Sequence, residues 1–288
     1  MKALLLPLFA AFTLAGCTSK VDFEIDNPTD TALTLRIDDK DLSVPARSSA
    51  PVSLAAGEHH LHSEKLGDVR FIVYTGGKGG LINPTLGEYV TVREIYVTDA
   101  DKMQNFGQVG SGAELGGVTF EGPFEQTHDL FIEKSWDFGV HQPFPEQQIV
   151  THVNSSGGKI STKIFTARDF IAYVEASMDE PGAYLKQQPA GYVAPDFTLE
   201  PTPATLPPLD PVFEAHAGPL RDVYARYLKA ATAAEQEALR KEAFQAQVAF
   251  TKATASLGSG VSVEANRAYN AFVSTRMETM GRSALIVP

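Results

Sequence analysis

The sequence predicts an α+β protein with a β-rich first half and a helical last quarter. Short alternating apolar runs separated by turn residues fill residues 21–100. Seven prolines interrupt residues 187–211, and an alanine- and leucine-rich stretch follows over 212–288. We therefore expect an N-terminal antiparallel β-sandwich-like module, a mixed α+β region over 101–186, a proline-rich connector and a C-terminal antiparallel helical hairpin.

The first predicted strands show the two-residue period of a half-buried sheet. Val21, Phe23 and Ile25 alternate with acidic residues, the last of which is Asp26. The same period returns over 33–37 after a turn that contains Asn27-Pro28. Successive side chains of a strand point to opposite faces, so this pattern predicts short antiparallel strands with one apolar face.

Helices are predicted where apolar residues recur three and four positions apart. Leu220, Tyr224 and Tyr227 begin such a series, which runs to the break at 258–260 and restarts over 263–280. A shorter helix after residue 166 has two candidate N-caps, Thr166 and Asp169. The prolines of 187–211 fix their own φ and favour extended neighbours, so this connector is expected to be semi-rigid.

The N-terminus carries a short positive end and an apolar run over residues 3–14. This run is shorter than the roughly 20 residues of a membrane-spanning helix but fits the apolar region of a signal peptide. Leu14-Ala15-Gly16-Cys17 follows, and Cys17 is the only cysteine. We predict a signal peptide over 1–16. The alternatives are an ordinary secreted protein with a chance cysteine near the cleavage site and a cytoplasmic protein with an apolar start.

Leu14-Ala15-Gly16-Cys17 resembles the lipobox of bacterial lipoproteins. The resemblance implies cleavage before Cys17, lipid attachment to its sulfur, acylation of the new amino terminus and a lipidated tether over 17–20. Several acyl chains, such as palmitate, then hold the protein on the membrane. Thr18 stands where lipoproteins retained in the inner membrane carry Asp, which implies the outer membrane, facing the periplasm.

The segment "LTLRIDDKDLSVPARSSAPVSLAAGEHHL" resembles small envelope β modules of the PEGA and carboxypeptidase-regulatory type. The segment "GGLINPTLGEYVTVREIY" is similar to uncharacterised bacterial lipoproteins. The first resemblance implies a spacer or adhesive scaffold without catalysis. The second implies lipoprotein character and no particular activity.

Composition narrows the classes of function. The chain has 24 Lys and Arg against 35 Asp and Glu, and an acidic surface repels nucleic-acid phosphates. A single cysteine provides neither a disulfide framework nor a cysteine-based zinc site. The glycine-rich segments lack the phosphate-loop spacing, and the serine-hydrolase elbow and the HExxH motif are absent.

A metal site is considered at "GEHHLHSE", where His60, His62 and Glu64 share one face of a strand. The alternation instead makes His59 and Leu61 the inward pair and leaves the other histidines as exposed polar residues. The sequence therefore predicts no metal and no cofactor.

The stretch "DLFIEKSWDFGVHQPFPEQ" combines aromatic and acidic residues. Trp136, Phe138 and His141 are the candidate ligand surface, although such aromatics equally build a core. A hydrolase acting on envelope glycans would use carboxylates of this stretch, for which the candidates are Asp129, Glu133 and Asp137.

The sequence thus favours a lipid-anchored bacterial envelope protein. We expect it to be non-enzymatic and to have a structural or protein-interaction role. Its expected partners are the membrane, through Cys17, and another envelope protein. A membrane-tethered hydrolase and a carbohydrate- or peptide-binding module are the alternatives.

Overall fold

The computed structural model describes residues 20–106, 112–145, 147, 157–178 and 180–287 of the 288-residue chain. The predicted signal peptide and Cys17 lie outside the described residues, as does the predicted tether except for Lys20. Within the described residues no helix is long and apolar enough to cross a membrane.

The α+β class is confirmed. The strands are β1 (Lys20–Asn27), β2 (Leu33–Ile37), β3 (Lys40–Val44), β4 (Ser48–Ala55), β5 (Gly57–Ser63), β6 (Gly67–Val73), β7 (Gly80–Ile82), β8 (Tyr89–Val97), β9 (Ala113–Leu115), β10 (Val118–Phe120), β11 (Phe124–Thr127), β12 (Phe131–Glu133), β13 (Gly158–Thr166) and β14 (Ala284–Ile286). The helices are α1 (Ala167–Met178), α2 (Ala183–Gln187), α3 (Pro211–Glu214), α4 (Gly218–Tyr227), α5 (Ala233–Thr254) and α6 (Val263–Gly281). Two 3₁₀ turns cover Ala100–Asn105 and Gly258–Gly260.

Two sheets form a sandwich around one apolar core. One sheet has the strand order β12-β7-β1-β4 and the other has the order β14-β6-β5-β2-β3. Val21, Phe23 and Ile25 of β1 are buried in this core, as the alternation predicts. They meet Leu61 and Phe71 of the opposite sheet, so the periodic residues of both sheets share one interior. Every pairing is antiparallel except that of β1 with β7.

The edges of the sandwich are completed by distant parts of the chain. Strand β12 pairs with β7, so Phe131 lies opposite Ile82. Strand β14, near the end of the chain, pairs with β6 and places Ala284 opposite Val73. The sandwich therefore includes strands from segments that the sequence assigns to the α+β region and to the helical hairpin.

A smaller three-stranded sheet, β11-β8-β13, packs against α1. The Thr166 Oγ1 atom accepts a hydrogen bond from the Asp169 backbone N–H at 3.2 Å, which makes Thr166 the cap of this helix. Phe170 is fully buried against Phe165 and Val92. This sheet continues from the sandwich because β8 follows β7 after a short turn.

The helical region contains a break that the sequence analysis does not predict. The chain leaves the helix after Tyr227, and Leu228 and Ala230 are buried in the turn. Thr232 then starts α5 with a capping box, in which its side chain and that of Glu235 each bond the other's backbone N–H. The C-terminal region therefore contains three longer helices, α4, α5 and α6, and α4 packs against both of the others.

The helices are attached to the sandwich through β6 and its continuation. The Tyr74 hydroxyl donates to the Tyr227 carbonyl at 2.9 Å, and the two rings stack with centroids 4.3 Å apart. Between α2 and α3 the connector has no regular helix or strand. Its Phe197 and Leu199 pack on the sandwich core, whereas Leu206 is buried among the helices. The connector is therefore packed against both the sandwich and the helices, and we call this proline-rich segment the strap.

Candidate functional site

A buried lysine holds the loop that carries His141. Lys163 of β13 is only 4% exposed, and its Nζ donates to the carbonyls of Gly139, Val140 and Gln142 at 2.8, 3.0 and 2.7 Å. Burial lowers the pKa of Lys163 to about 8. Three carbonyl acceptors match the three donors of an ammonium group, so one side chain holds the loop.

His141 forms a cluster with Asp26 and Tyr89 at the end of β1. The carboxylate of Asp26 is completely buried; one oxygen lies 2.9 Å from His141 Nε2 and the other accepts from the Tyr89 hydroxyl at 2.5 Å. Burial, together with the charge of Asp26, raises the pKa of Tyr89 well above its usual range. Tyr89 therefore stays a proton donor, and Asp26 fixes the orientation of the His141 ring.

The His141 side chain is 41% exposed, so its imidazole meets solvent while a buried carboxylate holds it. When Nε2 donates to Asp26, the Nδ1 atom is left as the acceptor. Nδ1 has no hydrogen-bond partner among the described residues. This arrangement can accept a hydrogen bond from a ligand.

Trp136 and Phe138 are placed differently from His141. Trp136 is 9% exposed and packs in a cluster with Tyr89, Ile132 and Ile164, while Phe138 is half-buried. The prediction of a Trp136 ligand surface is thus corrected in favour of the core alternative, because the indole covers apolar side chains between β8, β12 and β13. Of the three candidate ligand residues, only His141 is exposed.

The three candidate carboxylates have separate partners. Asp129 pairs with Arg282 at 2.9 Å. Glu133 accepts from both the backbone N–H and the hydroxyl of Ser283, at 2.7 and 2.6 Å. The third, Asp137, accepts from the Thr162 backbone N–H at 3.0 Å. Each carboxylate joins two segments of the fold, and Asp129 also lines a cleft.

The histidine-rich strand β5 follows the predicted alternation. His59 and Leu61 are buried and His60 and His62 are exposed, which confirms the inward pair. His59 is held by Asp38 and the Ala55 carbonyl, at 2.7 and 2.8 Å. In the described part of the chain no three or more histidine, cysteine or acidic side chains are arranged to hold a metal.

A cleft of about 270 Å³ opens at one corner of the sandwich, and we call it the corner cleft. Its walls come from the start of β12, from β14, from the end of α6 and from strap residues 198–203. Charged side chains border it: Asp129, Glu200, Glu278 and Arg282, with His128 beside them. Apolar residues of the sandwich edge form its floor, so the corner cleft has an apolar floor and a charged rim.

The fold defines a class: an α+β protein in which a smaller sheet, the strap and the C-terminal helices pack against a β-sandwich. Comparison with known protein families, curated proteins and solved structures finds no match to this chain.

Two parts of these sites are not identified by the sequence analysis. Lys163 lies in "KISTKIFT", where alternation is weak, and the tertiary contact with residues 139–142 decides its burial. Asp26 ends an alternating strand whose acidic residues otherwise remain exposed. The position of Asp26 beside Asn27-Pro28 could have identified it as a site residue, because a functional loop can approach the end of a strand.

Proposed function

We propose that this chain is a lipid-anchored protein of the bacterial envelope with a structural or protein-interaction role. The observation that carries the proposal is the distance between the lipobox and the folded body. Strand β1 begins at Lys20, three residues after Cys17. Three extended residues span only about 10 Å, so acyl chains on Cys17 would hold the sandwich directly against the membrane.

The proposal also assigns an orientation. Strands β1 and β7 are parallel, so the chain enters both at one end of the sandwich, where Lys20 and Lys78 are exposed. We call this the anchor end. The Asp26–His141 contact lies at the opposite end of β1, about 20 Å away at 3.3 Å per residue. The His141 cluster would then face away from the bilayer.

The contacts of the candidate carboxylates support a non-enzymatic role. Asp129, Glu133 and Asp137 each bind a different structural partner, so glycoside hydrolysis by a pair of these acids has no support in the geometry. The corner cleft supports the protein- or peptide-binding alternative, because it offers an open, partly apolar groove.

The test of the anchor is Cys17→Ser in intact cells. We expect loss of labelled palmitate and release from the membrane fraction, because the acceptor sulfur is gone. Thr18→Ala is the matched control and should retain both. Unchanged palmitate labelling of the Cys17→Ser chain would refute the anchor.

The proposed outer-membrane location has its own test. Thr18→Asp introduces the residue that the lipoprotein resemblance associates with inner-membrane retention. We expect the acylated protein to move from the outer to the inner membrane on a sucrose gradient. A protein that stays in the outer membrane would contradict this location while leaving the lipid anchor intact.

A further inference from the structure

Two buried polar atoms of the C-terminal helices have no hydrogen-bond partner among the described residues. One is Oε1 of Gln247 in α5, which is an acceptor, and the other is Nε of Arg276 in α6, which is a donor. Arg276 is only 9% exposed, and burial lowers the pKa of its guanidinium group with no neighbouring carboxylate to oppose the shift. A buried cation is normally paired, so the unpaired guanidinium of Arg276 needs an explanation.

The helices that carry these atoms, α5 and α6, lie side by side and run in opposite directions. The Phe250 ring of α5 contacts that of Phe272 of α6, with centroids 5.6 Å apart. Thr254, about one turn later on α5, places its hydroxyl 3.4 Å from that of Tyr269, which lies about one turn earlier on α6. Contacts that advance along one helix and retreat along the other identify an antiparallel pair.

Gln247 and Arg276 therefore lie at the same level of the pair. Gln247 precedes Phe250 by three residues, and Arg276 follows Phe272 by four residues. In antiparallel helices these two steps lead in the same direction, each by about one turn. The buried acceptor and the buried donor thus come from neighbouring turns of the two helices.

Exposed apolar side chains accompany both atoms. Residues at i, i+3 and i+4 share one side of a helix, and each helix places two apolar residues around its polar one in this way. The resulting surface, which we call the α5–α6 face, consists of Phe244, Gln247 and Val248 of α5 and of Val273, Arg276 and Met277 of α6. Phe244, Val248 and Met277 are 71%, 52% and 60% exposed. The α5–α6 face therefore leaves apolar area in water around a recessed cation.

Helix α4 packs on a different side of α6. The Arg221 guanidinium of α4 lies over the Phe272 ring, 5.1 Å from its centroid. On a helix with about 100° between successive residues, Val273 and Met277 point about 100° and about 140° away from Phe272. Helix α4 consequently leaves the α5–α6 face uncovered, in agreement with the exposure of Met277.

Basic residues border the α5–α6 face. Lys241 and Lys252 lie about one turn beyond either end of its apolar residues on α5, and both are exposed. Glu237, about one turn before Lys241, is the nearest acidic residue on this side of α5. With Arg276, the surface carries three positive charges beside one negative charge, whereas the whole chain has 24 Lys and Arg against 35 Asp and Glu. An acidic partner therefore complements this surface.

Other acidic residues of these helices lie on other sides. Glu242 of α5 pairs with Arg226 of α4, and Glu278 of α6 lines the corner cleft. A second copy that met this one through the same face would bring cation against cation. A flat anionic membrane would not reach a guanidinium that is 9% exposed. A carboxylate on a protein side chain can enter between the helices and pair with it.

We propose that the α5–α6 face binds an amphipathic helix of another envelope protein, one that carries carboxylates beside its apolar stripe. The groove between two packed helices accepts the side chains of a third. The apolar stripe contacts Phe244, Val248 and Met277, and a carboxylate accepts hydrogen bonds from the Arg276 guanidinium. The envelope source of the partner rests on the proposed function; the binding chemistry does not.

The probe is a fluorescein-labelled helical peptide with three repeats of the heptad Glu-Ala-Leu-Leu-Glu-Ala-Leu, and a lysine-for-glutamate peptide is its control. Binding to the detergent-solubilised full chain is measured by fluorescence anisotropy. We expect the glutamate peptide to bind at least tenfold more tightly than the lysine peptide. Equal binding of the two peptides would overturn the proposed charge selection.

Two variants separate the charge and apolar contributions. Arg276→Met removes the cation and keeps a side chain of similar length, and Arg267→Met is its control at an exposed position on the opposite side of α6. Phe244→Ala removes the exposed ring, and Leu185→Ala is its control at a 70% exposed position of α2. We expect about tenfold weaker binding of the glutamate peptide for Arg276→Met and for Phe244→Ala, and less than twofold change for the controls.

Unfolding in urea distinguishes a binding role of Arg276 from a structural one. Arg276→Met replaces an unpaired buried charge with an apolar side chain, so its urea midpoint should rise while its affinity falls. A lower midpoint together with unchanged affinity would show that Arg276 serves the fold and would overturn the site. If Arg276→Met does not fold, as judged by circular dichroism, Phe244→Ala decides the outcome, because that side chain is exposed.

The other occupants of the α5–α6 face give different results. Flotation of the Cys17→Ser chain with phosphatidylglycerol vesicles that is lost in Cys17→Ser/Phe244→Ala would assign the surface to the membrane and overturn the proposal. A dimer that Phe244→Ala dissociates would assign it to a second copy, with the same consequence. The Cys17→Ser chain should bind the glutamate peptide with unchanged affinity. Failure of the lipid anchor therefore appears as lost membrane attachment with intact peptide binding, whereas failure of this inference appears as the reverse.

Discussion

Ser283 joins three segments of the fold, and its hydroxyl gives a quantitative prediction. The Oγ atom donates to Glu133 Oε1 at 2.6 Å and accepts from the Gly79 backbone N–H at 2.9 Å. Ser283 is 1% exposed and Gly79 is buried, so the Gly79 N–H that loses the hydroxyl has no ready access to water, whereas Glu133 is half-buried. Ser283→Ala removes both bonds and leaves the strand pairing of β14 in place.

The expected loss follows from these two contacts. A buried N–H left without an acceptor costs about 1–3 kcal/mol, and a hydrogen bond to a charged group contributes about 1.5–3 kcal/mol. The Ser283 backbone N–H continues to bind Glu133 at 2.7 Å, which preserves part of the network. We therefore expect the free energy of unfolding to fall by about 3 kcal/mol.

The assay is urea unfolding followed by fluorescence, for which the sole tryptophan, the buried Trp136, is the probe. Ser53→Ala is the matched control: Ser53 also donates to a carboxylate, that of Asp22, but at an exposed site. It should change the free energy of unfolding by less than about 0.5 kcal/mol. A Ser283→Ala effect equal to that of the control would refute the reasoning.

Two further predictions concern the cluster around His141. Tyr89→Phe removes a donor from the buried Asp26 carboxylate and should lower the free energy of unfolding by about 2 kcal/mol in the same urea assay; an unchanged midpoint would contradict it. Lys163 has a folded-state pKa of about 8 against 10.5 for the free side chain, so the unfolded chain holds its proton to higher pH. Stability should consequently rise by up to about 3 kcal/mol between pH 8 and 10.5 relative to Lys163→Met, and identical pH profiles would exclude a depressed lysine.

Local periodicity predicts the elements that are built from neighbouring residues. The alternation of Val21, Phe23 and Ile25 identifies the buried face of β1, and that of β5 identifies His59 as inward. These predictions hold because alternate side chains of a strand point to opposite faces, so a strand with one buried face has an alternating apolar and polar sequence. The helical break at 228–232, which the apolar periodicity does not predict, has a different signal, since Thr232 and Glu235 have the spacing of a capping box.

Contacts between distant segments account for what the sequence does not reveal. Asp26 is buried because Tyr89 and His141, 63 and 115 residues away, cover the end of β1. The three residues of β12 and of β14 are too short to show a period, and their places in the sandwich depend on pairing with β7 and β6. The corner cleft arises from these same pairings, so no single stretch of sequence encodes it.

The central claim, a sandwich held by its anchor end against the membrane, has a direct measurement. Cys17 is the only natural cysteine and would be acylated, so one added cysteine gives a single labelling site. Lys78→Cys places it at the anchor end and Glu64→Cys, after β5, at the opposite end; both positions are exposed. Each acylated variant carries a fluorophore in vesicles that contain lipids with nitroxide-labelled headgroups.

We predict strong quenching at residue 78 and little at residue 64, because the sandwich separates the two ends by more than the short reach of a nitroxide. Equal quenching at both positions, or stronger quenching at 64, would contradict the orientation.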